Sequence, residues 1–312
     1  MCKKEQQENP LISCTNKSII PKALQIEPIF GCNANCTMCV INKPTNRKKM
    51  AMPMNIFKKI VDDITPYNDI IEQIDLFGLG EPLLDKNIIK KIRYLKKNRL
   101  KSVGISTNVE LMDKYMQDQL LESGLDTIIF SIDSTKKEIH EKIRVNTNFE
   151  RVIKNANSII DKRNKHDYNI KFIFRYINQP NDTDGWEEYK NYWNSRINRN
   201  KGDQINIYNA HNWVGEYPLE LNKRSEDIET LECYQIFYRM TILSDGTVSM
   251  CSCDFLHPHI SVGNVVDSNT IDIFNSKKMN DVRAVHLSGK KRTIKTCRQC
   301  IMLYSREKKV VF

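Results

Sequence analysis

Cys32, Cys36 and Cys39 place three thiols within eight residues, directly after the apolar run at 23–30. Their number says more than their spacing. A closed zinc site takes four ligands, and so does an iron–sulfur cluster held only by protein. Three cysteines on one short loop can hold three irons of a 4Fe–4S cluster and leave the fourth iron open. An open iron can bind a small molecule and pass it an electron. A structural zinc knuckle or inert buried thiols are the alternatives. A knuckle wants a fourth Cys or His close by, and the nearest His is His140.

A second group follows much later. Cys233 is followed by twelve residues, Gly246, four residues and Cys251, and Cys297-Arg298-Gln299-Cys300 closes the set. Four thiolates for one site fit a fully ligated cluster or a zinc ion. Of the ten cysteines, Cys2, Cys14 and Cys253 are left over. Cys253 lies two positions past Cys251 and therefore near the second group. It is a substitute ligand, an inert thiol or a reactive one.

The elements that must hold these groups alternate between two periods. Phe57, Ile60, Val61 and Ile64 follow i, i+3, i+4, i+7 and predict an amphipathic helix. Strands are expected at 71–77, 102–107, 126–132, 170–176 and 204–208, the third of these apolar on both faces as in a parallel sheet. Helices are expected at 112–122, stopped by Gly124, and along the Phe149, Val152, Ile153, Ala156, Ile159, Ile160 stripe. With the run at 23–30 this makes about six βα units, too few for a closed eight-stranded barrel. The fold class is α/β: a partial (β/α)6 barrel with its chemistry at the C-terminal strand ends.

After 217 the pattern changes. Residues 238–250 read as a β-hairpin turning on Asp245-Gly246, followed by a helix at 270–285. This gives a small C-terminal β-hairpin-plus-helix domain around the second cysteine group. The expected division is a 1–22 extension, a 23–217 barrel, a 218–305 cluster domain and a 306–312 tail.

The chain has 312 residues, 40% of them hydrophobic, enough for one α/β core and an appendage. The N-terminus lacks the apolar segment of a signal peptide, and no apolar run reaches the roughly 18 residues of a membrane helix. A cytoplasmic protein without a membrane partner is expected, and there cysteines serve as metal ligands more than as disulfides. Lys and Arg number 48 against 38 acidic residues, a net +10. The basic residues are spread. Those at 86–101 flank an apolar stripe of Ile88, Ile89, Ile92 and Leu95, which reads as a solvated helix face and not a nucleic-acid patch.

Gly78-Leu79-Gly80-Glu81-Pro82 stands at a strand end, where parallel sheets present ligand-binding loops. One βα unit after the cysteine triplet, it gains meaning. The triplet, this turn and the second cysteine set together resemble the radical S-adenosylmethionine (SAM) enzymes with a C-terminal SPASM/twitch extension, over about 23–303. Met38 replaces the family's aromatic residue before the third cysteine, and Leu79 its first glycine; Gly80, Glu81 and Pro82 match the motif that contacts the SAM amino group. A full SPASM carries further cysteines after the CxxC, and 301–312 holds none, which favours one auxiliary cluster.

The resemblance implies a SAM-binding cluster on Cys32, Cys36 and Cys39, and one auxiliary 4Fe–4S cluster on Cys233, Cys251, Cys297 and Cys300. It also implies SAM contacts from Gly80, Glu81, Pro82, Ser131 and Arg144, the last of which a surface salt bridge would equally explain. Ser106, Thr107, Asn108 and Asp133 end neighbouring strands. Tyr208, His211 and Trp213 form a candidate substrate wall or plain packing. A reductant such as flavodoxin or ferredoxin would cleave SAM to a 5′-deoxyadenosyl radical, which abstracts hydrogen from the substrate. Cys253 is a candidate hydrogen-atom donor, as in radical SAM epimerases; electron transfer to the auxiliary cluster would give dehydrogenation instead. A polar, carbohydrate- or aminocyclitol-like substrate is expected, with maturation of a ribosomal peptide as the alternative. A two-cluster electron carrier or a zinc-stabilised binding module are the non-radical readings.

Overall fold

The computed structural model describes residues 18–178, 185–210, 212–217 and 232–300. Six strands carry the apolar segments: β1 (Ala23–Ile26), β2 (Gln73–Leu76), β3 (Val103–Thr107), β4 (Thr127–Ser131), β5 (Lys171–Asn178) and β6 (Gln204–Asn209). They lie in chain order, every neighbour parallel. Each crossover therefore runs through helices: α1 (Met54–Ile64), α2 (Ile88–Lys97), α3 (Lys114–Leu121), α4 (Lys137–Ile143) with α5 (Phe149–Lys165), and α6 (Gly185–Asn194). This is the partial barrel that the alternation of periods predicts.

Local signals set the boundaries. Asp113 and Asn148 cap α3 and α5, accepting from the Met116 and Arg151 N–H groups. Gly124 stops α3 with φ +83°. The first strand ends at Ile26, earlier than the apolar run suggests, because Pro28 has no N–H to continue the ladder. Ile29–Phe30 pairs instead with Met50–Ala51. Lys91 also departs from expectation. It is fully buried on the inner side of α2, where Nζ donates to Asp85 (2.6 Å) and to the Met52 and Pro28 carbonyls.

The C-terminal part opens with α7 (Gln235–Tyr238), then β7 (Arg239–Ile242), β8 (Thr247–Ser249) and β9 (Ser261–Asn264). The hairpin of β7 and β8 is as read from Asp245-Gly246, with Gly246 at φ +86°. Its placement is new: β7 runs parallel beside β1 over four residue pairs, so barrel and hairpin share one nine-stranded sheet. Arg239 of β7 reaches across β1 to pair with buried Asp75 of β2. The single helix expected at 270–285 is two, α8 (Thr270–Phe274) and α9 (Lys277–Leu287), because the Ser276 hydroxyl caps a fresh start by accepting from the Met279 N–H. A short α10 (Lys295–Gln299) ends the described chain. Among the described residues no helix is long and apolar enough to cross a membrane.

Candidate active site

Backbone contacts shape the triplet loop. Asn35–Cys36 pairs antiparallel with Arg144–Val145, and the Thr37 N–H donates to the Ile143 carbonyl (2.9 Å). On the other side Gly31 bridges Gly80, and the Glu81 N–H donates to the Gly31 carbonyl (2.9 Å). A Cβ on Gly80 would sit 2.8 Å from the Gly31 oxygen and nearer still to that of Ile29, so this approach requires glycine. Leu79, where the family has glycine, is buried in an apolar cluster with Phe30, Val40, Ile41 and Phe255.

The strand ends and this loop enclose a cavity of about 250 Å³. Cys32, Cys36 and Cys39 line it together with Gly80, Glu81, Ser131, Arg144 and Cys253. Pro82 does not; it is buried and starts a short 3-10 turn. Trp213 lines the cavity and donates Nε1–H to the Met38 carbonyl (2.8 Å). His211 lies outside the described residues, as do Cys2 and Cys14.

Two of the expected SAM contacts, both lining the cavity, also make defined contacts within the protein. Glu81 is buried, and its carboxylate accepts from the Leu83 N–H (3.1 Å), the Thr107 hydroxyl (2.7 Å) and the Asn108 N–H (2.8 Å). It clamps the end of β2 to the end of β3. Arg144 is no surface residue: Nε and Nη2 both reach buried Asp133 at 2.7 Å, and Nη1 lies 3.6 Å from Cys36 Sγ. Arg175, which the sequence reading missed, reaches the Ser106 (2.7 Å) and Ser131 (2.6 Å) hydroxyls with Nη2 and joins the wall. Its signal was parity: Phe172, Phe174 and Tyr176 face the core, and Arg175 faces the other way with Ile177.

Behind this wall a second cavity of about 40 Å³ gathers Cys233, Cys251, Cys297 and Cys300, with Cys253 and His286. Cys253 lines both cavities and contacts Cys251 and Cys300. Those contacts, then burial, keep its thiol protonated well above the ordinary range. Burial pushes Cys32 and Cys233 up to about 12 and Cys39 up to about 11. Such thiols ionise when a metal takes them. Donors already point at the sulfurs, the Ala34 N–H at Cys32 (3.4 Å) and Arg144 at Cys36. The residues fit thiolate-held clusters at both places.

A model of the radical SAM superfamily matches residues 26–190, more than half of the chain. The chain belongs to the radical SAM superfamily. A model of the SPASM iron–sulfur cluster-binding domain matches residues 233–301, which decides between cluster and zinc for the second cysteine group as a class of site. This radical SAM protein thus uses a 4Fe–4S cluster, SAM and an auxiliary iron–sulfur cluster. A probable GTP 3′,8-cyclase of Methanococcus aeolicus is 33% identical over 126 residues, 39% of this chain and 40% of that relative. This chain therefore matches well under half the length of that relative. Among solved structures, BtrN in complex with AdoMet and 2-DOIA aligns at TM-score 0.61 and 14% identity, over 92% of this chain and 98% of that one. Streptococcus suis SuiB bound to precursor peptide SuiA aligns at TM-score 0.65 and 15% identity, over 91% and 70%. Those two likenesses establish the fold.

Proposed function

We propose that this protein is a cytoplasmic hydrogen-abstracting enzyme that inverts a carbon centre of a polar, hydroxyl-rich substrate. The observation that carries this reading is Cys253, a thiol on the wall shared by the SAM-cluster cavity and the auxiliary pocket. When bound, the SAM cluster supplies a 5′-deoxyadenosyl radical, which takes a hydrogen atom from a substrate C–H bond and leaves as 5′-deoxyadenosine. Cys253 gives its S–H hydrogen to the opposite face of the substrate carbon and becomes a thiyl radical. One electron from the reductant and one solvent proton restore the thiol. Arg175, Asn108, Asn209 and Gln25 offer the cavity polar groups suited to hydroxyls. Cys32, Cys36 and Cys39 hold the SAM cluster, Gly80, Glu81, Ser131 and Arg144 line the SAM side, and Cys233, Cys251, Cys297 and Cys300 hold the auxiliary cluster.

The first test needs no substrate. In D2O with dithionite and SAM, wild-type protein should deposit deuterium from Cys253 into 5′-deoxyadenosine, read by mass spectrometry. Cys253→Ala should keep its iron and still cleave SAM, with several-fold less deuterium in the product. Equal labelling in the two proteins would show only that the 5′-deoxyadenosyl radical does not reach Cys253 directly; the inversion is overturned if Cys253→Ala still converts an accepted substrate to its inverted product. A panel of nucleotide sugars, aminocyclitols and peptides then asks which class accelerates cleavage.

A further inference from the structure

His286 lies on the inner face of α9, 1% exposed, against the auxiliary thiols. Its ring has two defined contacts. The Cys233 backbone N–H donates to Nδ1 at 3.2 Å, and Nε2 lies 3.3 Å from Cys297 Sγ. A backbone N–H can only donate, so Nδ1 carries no proton. The ring is then the neutral tautomer with its hydrogen on Nε2, aimed at the Cys297 sulfur.

We propose that His286 is a positioning residue that sets the reduction potential of the auxiliary cluster by donating Nε2–H to Cys297 Sγ. The inference rests on reading Cys297 as a cluster ligand. A donor aimed at a thiolate stabilises the extra negative charge of the reduced cluster, so it makes the cluster easier to reduce. Through Nδ1 the same ring fixes the backbone of Cys233, so two ligand segments far apart in sequence are held by one side chain.

The experiment is an EPR-monitored redox titration of the reconstituted two-cluster protein, with the SAM-cluster signal identified by its change on adding SAM. His286→Phe removes both contacts. Its auxiliary midpoint should move to lower potential while the SAM cluster stays at its wild-type value. In His286→Gln the side-chain amide can accept from Cys233 and donate to Cys297, and the midpoint should return towards wild type. An unchanged auxiliary midpoint in His286→Phe at full iron content would overturn the proposal. Wild-type protein labelled with 15N-histidine gives a readout that depends on no variant: pulsed EPR should detect a weak nitrogen coupling, whereas none, or the strong coupling of a directly bound nitrogen, would sink it. Full iron in Cys297→Ala would overturn the ligand reading beneath it, an outcome distinct from failure of the hydrogen bond alone.

Discussion

The two cysteine sites are built in opposite ways. In the SAM-cluster cavity the three candidate ligand thiols, Cys32, Cys36 and Cys39, come from one loop, and the rest of the molecule supplies the polar groups around them: Arg144 with Asp133, Arg175 with two serines, Glu81 with three donors. In the auxiliary pocket the thiols come from three separate segments, and a single histidine joins two of these. The first site is a compact sequence motif placed in a long-range polar frame. The second is a long-range thiol set with a sparse frame. Substitutions should therefore fail differently in the two places.

The largest contrast is in chemistry. Cys32→Ala should reduce 5′-deoxyadenosine formation to background, whereas Cys297→Ala should keep dithionite-driven SAM cleavage while losing about half of the iron. Product chromatography beside iron analysis reads both; SAM cleavage persisting in Cys32→Ala would end the distinction between the sites. Next comes the frame. Arg144→Met leaves Asp133 buried without its cation and should cost about 3–5 kcal/mol in denaturant unfolding of the anaerobic protein. A cost below about 1 kcal/mol would mean that the pair does not brace the loop.

Hydroxyl groups give a finer comparison. Thr107→Val removes the hydrogen bond to the Glu81 carboxylate and should cost about 1.5–3 kcal/mol. Thr296→Val, beside the auxiliary thiols, should cost less, since its hydroxyl is buried without a partner among the described residues. Equal losses would erase the asymmetry. The smallest effect is a pH slope. Burial, and then the charge of Arg144, push His140 down to about 4. The unfolded chain therefore binds a proton near pH 6.5 that the folded chain refuses, and stability falls as pH drops below that value. From pH 7.5 to 5.5 His140 should account for about 1 kcal/mol of lost stability, and His140→Gln should flatten the slope by that amount.

Much of this was legible beforehand. Apolar runs and i, i+3, i+4 stripes gave the six strands and most helices, because parallel strands buried on both faces carry their burial in composition. The triplet was readable because three thiols on one short loop restrict the chemistry they can do, and the Gly80-Glu81 turn because it stands at a strand end one βα unit later. What escaped depends on partners distant in sequence. Lys91 looks like any helix lysine until Asp85 and two carbonyls enclose it. Arg175 sits among the aromatics of its strand, and His286 is one position on a helix whose buried face also holds Met279, Val282 and Arg283. The hairpin was visible, but its docking along β1 was not, since no local pattern encodes which strand a new edge will choose.

That docking has a consequence for dissection. β1 is buried at all four positions, and β7 occupies its outer hydrogen-bonding edge throughout. A fragment cut before the second cysteine group would expose an apolar strand with unpaired N–H and C=O groups, a ready template for another chain. Such a truncation should precipitate or oligomerise before it could reveal anything about catalysis. The segment that carries the auxiliary site also protects the barrel from self-association.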